Sequence, residues 1–354
     1  MAGATSRENN FGSLRLLFAS LVIVSHSPEL LDGNRSRELL TRLFGTLSFG
    51  EVAVDGFFLI SGFLITQSFV HGSSTVSYLV KRVARIVPGY LVCFILCVVV
   101  VGPLAGGTDI LTAKSLGRLA ARVIKLAQPA VTGAFAGLPY PALNGSMWTI
   151  GYEFRCYLMV PVLGWLGCTR PRGKIVWASV VAILLVLDAL TLPNGPLRIG
   201  NHYDIHFTAV FGVGMLAFLF RDRIPLRAGW AAAAAVLLVA SLCHWTTANA
   251  GYAIFGGYLI FWFAFAAPIV RLSRFDNRAD ISYGLYLYAF PVQSLFIWWY
   301  RGIDPWLLCG IALTVASALG YLSWMLVERP CLGLARGNGK ASGGRGDAVT
   351  RGGR

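Results

Sequence analysis

The chain has 354 residues, of which 56% are hydrophobic and 13% are charged, and its formal net charge is +14. Soluble domains carry about 25% charged residues. This composition therefore excludes a disordered chain, a secreted disulfide scaffold and an ordinary cytosolic enzyme. The hydrophobic residues come in unbroken runs, unlike the alternating strands of about 10 residues in a membrane β-barrel. The sequence predicts an all-α polytopic integral membrane protein.

Ten stretches are candidates for transmembrane helices, because a spanning helix needs about 20 mostly apolar residues at 1.5 Å each. They are 11–31, 50–70, 86–104, 147–167, 175–192, 204–220, 229–246, 250–270, 281–300 and 306–327. The sixth stretch is short and opens with polar residues. Segment 116–127 carries basic residues at helical spacing, and we expect it to lie as an amphipathic helix on the outer membrane surface.

The distribution of Lys and Arg predicts that both termini are cytoplasmic. Four loops on the side of the N-terminus carry three basic residues each, and cytoplasmic loops are enriched in Lys and Arg. The positive charge has the same explanation, so no nucleic-acid partner is expected. We expect a multi-pass protein of the cell's inner (cytoplasmic) membrane, with one transmembrane domain over 1–332. A disordered Gly- and Arg-rich cytoplasmic tail would follow at 333–354.

Three ionisable residues from different predicted spans reach similar depths. His26 and Asp55 lie about 7 Å from the outer ends of their spans, and Glu153 lies about 9 Å from its own. Ionisable groups inside a membrane are costly and mark candidate functional sites. A histidine beside a carboxylate suits general-base catalysis, because the carboxylate fixes the tautomer and stabilises the imidazolium. The alternatives are a structural polar network and the proton relay of a transporter.

A group of arginines is predicted near the cytoplasmic side. Arg15 lies about one turn into the first span, and Arg82 and Arg85 lie three residues apart at the mouth of the third. Arginines at i and i+3 share a helix face, and such a pair can bind a phosphate group bidentately. The alternative is that these arginines only anchor the protein at the cytoplasmic surface.

Metal and nucleotide chemistry find no support in the sequence. The seven Cys lie in or beside apolar runs without a C-x-x-C pattern, and we interpret them as small apolar residues. His202 and His206 have a spacing that can bind a metal, but no third ligand is in view. A solvated loop end is the preferred interpretation, and no metal site is predicted. No Walker A or G-x-G-x-x-G motif is present, so nucleotide hydrolysis has no support.

Six motifs, in order along nearly the whole chain, resemble those of the acyltransferase-3 family of membrane O-acyltransferases. They are 14–27 (LRLLFASLVIVSHS), 50–65 (GEVAVDGFFLISGFLI), 81–90 (KRVARIVPGY), 147–157 (MWTIGYEFRCY), 281–293 (ISYGLYLYAFPVQ) and 327–330 (VERP). The resemblance is to polysaccharide and O-antigen O-acetyltransferases without a fused SGNH-type esterase domain. Many members have a histidine after the Tyr of the ninth helix, where this chain has Ala289, so no catalytic role is assigned to that position.

The resemblance implies an enzyme that takes an acyl group, commonly acetyl, from cytoplasmic acetyl-CoA. The acceptor would be a hydroxyl of a cell-surface or exported polysaccharide, or of its lipid-linked precursor. Acyl-CoA would be a co-substrate, and no tightly bound cofactor is expected. The implied partners are membrane lipid, acyl-CoA, the glycan or lipid-linked glycan acceptor and polysaccharide-assembly proteins.

The resemblance also assigns roles to residues. His26 would act as general base or carry the acyl group transiently, and Asp55 or Glu153 would orient it. The phosphates of CoA would be held by the arginines near the cytoplasmic side, Arg15, Arg82 and Arg85. Trp148 and Tyr152 would stack against a sugar, although an interfacial aromatic belt explains them equally well. Ser61 would line the acyl channel, or it would serve only close helix packing.

Three alternative functions stay open at this point, one of which is a partner-dependent acyl carrier that moves the group across the membrane without choosing the acceptor. The acceptor could instead be a small secondary metabolite such as a macrolide, which genomic neighbours would distinguish. The protein could also be a proton-coupled transporter with His26, Asp55 and Glu153 as its relay. A CoA-dependent enzyme needs an inner anion site, whereas a transporter needs no acyl donor.

Overall fold

The computed structural model describes residues 9–72, 74–108, 112–191, 197, 200–266 and 280–335. Within these ranges the chain is helical and has no strand beyond an isolated bridge between Thr108 and Thr132. The helices are α1 (Phe11–Asp32), α2 (Leu39–Phe44), α3 (Phe49–Val70), α4 (Thr75–Leu104), α5 (Ala113–Ile124), α6 (Ile150–Trp165), α7 (Gly173–Thr191), α8 (His202–Leu219), α9 (Ala228–Leu242), α10 (Trp245–Ala266), α11 (Ser282–Trp299) and α12 (Pro305–Ala335).

Among the described residues, seven helices are long and apolar enough to cross a membrane. They are α1, α3, α4, α7, α8, α10 and α12. The three other predicted spans, 147–167, 229–246 and 281–300, coincide with α6, α9 and α11, which are shorter or less apolar. The all-helical, multi-pass membrane architecture is thus confirmed. The count of ten spans and the cytoplasmic termini stay predictions.

The predicted surface helix differs from the structure by a few residues. Helix α5 begins three residues before the predicted 116–127, because Thr112 caps it by accepting a hydrogen bond from the Ser115 amide. It ends early because Leu126 adopts a φ of +51°, outside the right-handed helical region. Helix α12 continues to Ala335, past the predicted boundary at 332. The predicted tail beyond 335 lies outside the described residues.

Glycines allow two pairs of helices to pack with their backbones in contact. A Cβ added to Gly62 on α3 would lie 2.2 Å from the Phe211 carbonyl oxygen of α8, and one on Gly214 would lie equally close to the Leu59 carbonyl. On α11, a Cβ at Gly284 would lie 2.5 Å from the Gly320 Cα of α12. Small residues permit such close approach between membrane helices. The packing fixes α3 against α8 and thereby brings their polar side chains together.

The ends of α1 and α3 build one corner of the site. Gly33, at a left-handed φ of +77°, ends α1 and turns the chain back toward it. Helix α3 begins with a capping box, in which the Ser48 hydroxyl accepts from the Glu51 amide and the Glu51 carboxylate accepts from the Ser48 amide. These two turns bring Arg35 and Glu51 next to the last turn of α1.

Candidate active site

Among the cavities lined by the described residues, two contain residues that the sequence singled out. The larger, of about 400 Å³, contains His26 and is called here the histidine cavity. The smaller, of about 90 Å³, contains Arg15 and Arg85 and is called the arginine cavity. Val54 and Tyr286 line both of them. The two cavities therefore meet at these two side chains.

His26 and Glu29 form a hydrogen-bonded pair in the last turns of α1. They are three residues apart and share a helix face, and His26 Nδ1 lies 3.3 Å from Glu29 Oε2. When Nδ1–H donates to the carboxylate, Nε2 is left as the basic nitrogen. Nε2 has no hydrogen-bond partner in the described part of the chain, and the side chain is 25% exposed in the cavity. This geometry suits a general base.

Glu29 is held in place by two further donors. Its Oε1 accepts from Arg35 Nε at 2.8 Å and from the Tyr140 hydroxyl at 2.8 Å, and the residue is buried. Burial lowers the pKa of the Arg35 guanidinium, but the adjacent Glu51 and Glu29 carboxylates outweigh burial and hold this pKa above its ordinary value. Burial and the hydrogen bond to Glu29 raise the pKa of Tyr140 to about 12. Both groups therefore remain donors, and the carboxylate orientation is fixed.

Asp55, predicted to orient His26, lines the histidine cavity but is hydrogen-bonded to a different histidine. His206 Nε2 lies 2.8 Å from Asp55 Oδ1, and His206 Nδ1 lies 3.1 Å from Asp188 Oδ2. His206 lies one turn inside α8 and is buried against Asp55 and Asp188, so it is not at the solvated loop end that the sequence predicted. The carboxylate bonded to His26 is Glu29.

Glu153 lines the arginine cavity rather than the histidine cavity. Its carboxylate accepts hydrogen bonds from the Tyr157 hydroxyl and, at 3.2 Å, from the hydroxyl of Ser61, which lines the same cavity. The structure thus brings His26 and Asp55 to one cavity and Glu153 to the other. Depth counted along a helix does not reveal the face on which a side chain lies, and Glu153 faces α3 and the arginines.

Two of the predicted arginines share a carboxylate. Arg85 Nη2 lies 2.6 Å from Asp280 Oδ2, and Arg15 Nη2 lies 3.2 Å from the same oxygen. Arg85 Nη1 is also 3.6 Å from the buried Glu328. Burial raises the pKa of Asp280, but the charges of Arg85 and Arg15 outweigh burial and hold this pKa well below its usual range. Asp280 therefore stays ionised and holds the two guanidinium groups at the arginine cavity.

Arg82 lies beside this cluster but outside the set of residues that line the arginine cavity. Its guanidinium is 5.9 Å from the centre of the Tyr78 ring. None of the ion pairs among the described residues involves Arg82. The Nε atoms of Arg82 and Arg15 are buried and lack hydrogen-bond partners in the same ranges. Buried unpaired donors are costly, and an anionic ligand would satisfy them.

Aromatic rings form one wall of the histidine cavity. Trp148 lines the cavity, is 37% exposed and packs edge-to-face against Tyr203, with ring centres 4.7 Å apart. Tyr152 packs against Trp148, and its hydroxyl accepts a hydrogen bond from Asn201 at 2.7 Å. Tyr152 does not line the cavity itself. Trp148 is therefore available for stacking, and Tyr152 supports it.

Several residues of both cavities were not singled out from the sequence. Glu29 carries a recognisable signal, since it follows His26 at i+3 within the first predicted span. Arg35, Tyr140 and Asp280 lie outside the predicted spans, and Tyr140 contacts Glu29 across 111 residues of sequence. No local pattern reports such contacts, because they depend on how the loops fold over the bundle.

Comparison with known proteins matches residues 9–325 to the acyltransferase-3 family, described as an acyltransferase domain. An O-acetyl transferase of Shigella phage Sf6 is 30% identical over 344 aligned residues, which cover 91% of this chain and 96% of that protein. Nodulation protein 10 of Rhizobium leguminosarum bv. viciae is 30% identical over 373 aligned residues, which cover 94% of this chain and 95% of that protein. An acyltransferase of Streptomyces mycarofaciens is 27% identical over 183 residues, which cover 45% of this chain and 42% of that protein. No solved structure matches the chain.

The family match spans nearly all of the described helices and both cavities. The relative from phage Sf6 is aligned over almost its full length and is itself an O-acetyl transferase. These similarities confirm the resemblance seen in the sequence motifs. The chain belongs to the acyltransferase-3 family and is a membrane O-acyltransferase.

Proposed function

We propose that this enzyme transfers an acetyl group from cytoplasmic acetyl-CoA to a hydroxyl of a cell-surface or exported polysaccharide, or of its lipid-linked precursor. It would act in the inner membrane. The observation that carries the proposal is the meeting of the two cavities, one with a histidine–carboxylate pair and one with an arginine cluster. A general base and an anion-binding group are the two elements that transfer from a CoA thioester to a hydroxyl requires.

His26 would act as the base. Its Nε2 takes the proton of the acceptor hydroxyl while the oxygen attacks the thioester carbonyl carbon. The carbon–sulfur bond then breaks, and the CoA thiolate receives the proton from the imidazolium. Glu29, bonded to Nδ1, stabilises the imidazolium between these two proton transfers. In the alternative sequence, His26 accepts the acetyl group first and passes it to the hydroxyl in a second step.

The donor would be held by the arginines. Arg15 and Arg85 reach the arginine cavity, and the unpaired Nε atoms of Arg15 and Arg82 can donate to phosphate oxygens of CoA. Asp280 keeps two of these side chains in position. Glu153 and Ser61 line the same cavity, and we assign them to the passage of the acetyl-bearing arm.

The acceptor would occupy the histidine cavity. Its volume of about 400 Å³ lies within the range of about 300–1,000 Å³ that is typical of small-molecule sites. Trp148 offers an aromatic face to a sugar ring, and the carboxylate of Asp55 is part of the cavity's polar lining. Aromatic surface with a few convergent polar groups suits a polyhydroxylated ligand.

Membranes of expressing cells, which contain their own glycans, provide the test. They are incubated with acetyl-CoA labelled in the acetyl group, and base-labile label is measured in polysaccharide, lipid-linked and small-molecule fractions. We expect label in the first two fractions for the wild type and for His71→Ala, which removes an exposed histidine elsewhere, and none for His26→Ala. Label confined to small molecules would overturn the proposed acceptor. Normal transfer by His26→Ala would overturn the mechanism.

A further inference from the structure

A cluster of side chains of the types that bind metal ions lies at the wall of the histidine cavity. It consists of Asp188 on α7 and of His202 and His206 on α8. His202 Nδ1 lies 3.5 Å and His206 Nδ1 lies 3.1 Å from oxygens of the Asp188 carboxylate. One ligand atom from each residue lies within 4.8 Å of the other two. Ligand atoms around a tetrahedral zinc ion are about 3.3 Å apart, given bond lengths near 2.0 Å.

The surroundings of His206 match those of a metal ligand. Its second ring nitrogen, Nε2, lies 2.8 Å from Asp55 Oδ1, and the Asp55 side chain is 3% exposed. A metal-bound histidine almost always donates its other N–H to a carboxylate, which fixes the ring and raises its basicity. Asn249 closes another side, with its amide nitrogen 3.1 Å from Asp188 and 3.5 Å from His206 Nδ1. A flip of the Asn249 amide would place its oxygen where the nitrogen lies, so that the oxygen would face the cluster.

The charges of the cluster also favour a cation. Asp55 and Asp188 are both buried, and their ion pairs within the described ranges involve histidines but no Lys or Arg. With neutral histidines, two carboxylates would leave two negative charges inside the bundle, which is strongly unfavourable. A divalent cation bound by neutral imidazoles balances both charges.

We propose that Asp188, His202 and His206 bind a divalent transition-metal ion, with zinc as the best-fitting ion, and that Asp55 orients His206. Imidazole and carboxylate are ligands that zinc accepts, and three protein ligands leave a fourth position free. Both histidines line the cavity that also contains His26. An ion at this wall can therefore bind an acceptor hydroxyl and lower its pKa. This proposal departs from the sequence-based expectation that the H-Y-D-I-H segment, 202–206, binds no metal.

Metal content tests the proposal directly. The full chain is purified through a tag without histidine, treated with chelator, reloaded with zinc sulfate, exchanged into metal-free buffer and measured by mass spectrometry. We expect about one zinc per chain for the wild type and for His71→Ala, whose side chain is exposed and remote from the cluster. His202→Ala and Asp188→Asn should each retain less than about a tenth of that amount. A folded wild type that holds no more zinc than these variants would overturn the proposal.

Cobalt provides a second measurement that does not depend on activity. Co²⁺ in a site of low coordination number gives visible absorption bands, which we expect for the wild type and not for His202→Ala. Thermal unfolding in chelator checks the fold of His202→Ala, and it should match that of the wild type. Equal cobalt spectra for the two proteins would contradict the assignment.

Discussion

Glu29→Gln separates the role of the carboxylate charge from that of its shape. Glu29 Oε1 accepts from Arg35 and Tyr140, each at 2.8 Å, so these donors will hold the amide oxygen of Gln at the same position. The amide NH₂ must then face His26 Nδ1 and donate to it. The histidine proton moves to Nε2, and the base needed for transfer is lost. We expect kcat to fall by about 10²–10⁴, which corresponds to about 3–5 kcal/mol.

The assay is steady-state transfer from labelled acetyl-CoA, with KM for the donor measured separately. Because Glu29 is hydrogen-bonded to His26 and does not line the arginine cavity, KM for acetyl-CoA should stay unchanged. Glu51→Gln is the matched control, since Glu51 also contacts Arg35 but is partly exposed and is not hydrogen-bonded to His26. It keeps the capping box and should lower kcat by less than about threefold. Equal losses in both variants would refute the positioning role.

Three further predictions concern one residue each. Tyr140→Phe removes one donor from Glu29 and should lower kcat about tenfold, measured in the same assay; an unchanged kcat would mean that the other donor alone positions the carboxylate. Gly62→Ala should destabilise the protein by about 1–3 kcal/mol, which is measured as a lower Tm in detergent. Gly310→Ala is the control and should not lower Tm, because nothing lies within 4 Å of its added Cβ. Equal Tm values for the two variants would contradict the close packing. Arg82→Ala should weaken acetyl-CoA binding about tenfold in calorimetry; an unchanged Kd would leave Arg82 as a membrane anchor.

The helices and several polar residues of the two cavities could be predicted from the sequence, because both depend on local pattern. Apolar runs of sufficient length define where helices form, and rare ionisable residues such as His26, Asp55 and Glu153 stand out within them. The six motifs then indicated the family. These features need no knowledge of how the helices are arranged.

The partners of those residues could not be predicted, because they depend on helix rotation and on distant loops. Asp55 or Glu153 was expected to orient His26, yet Glu153 lines the arginine cavity and Asp55 is bonded to His206. Similarly, Asp280 joins Arg85 across 195 residues of sequence. The depth of a residue along its helix does not specify which side chains it contacts, because a contact also requires that the two helix faces lie against each other. Close packing at glycines, as between α3 and α8, sets those faces.

We propose that the acetyl group enters from the cytoplasmic side and reaches an acceptor in the histidine cavity. Membrane vesicles of known orientation test it most directly, with labelled acetyl-CoA supplied to one side at a time. Inverted vesicles expose the cytoplasmic face, and only these should transfer label from external acetyl-CoA to glycan. Sealed right-side-out vesicles should transfer no label until they are permeabilised. Equal transfer from external acetyl-CoA in both orientations would contradict the account.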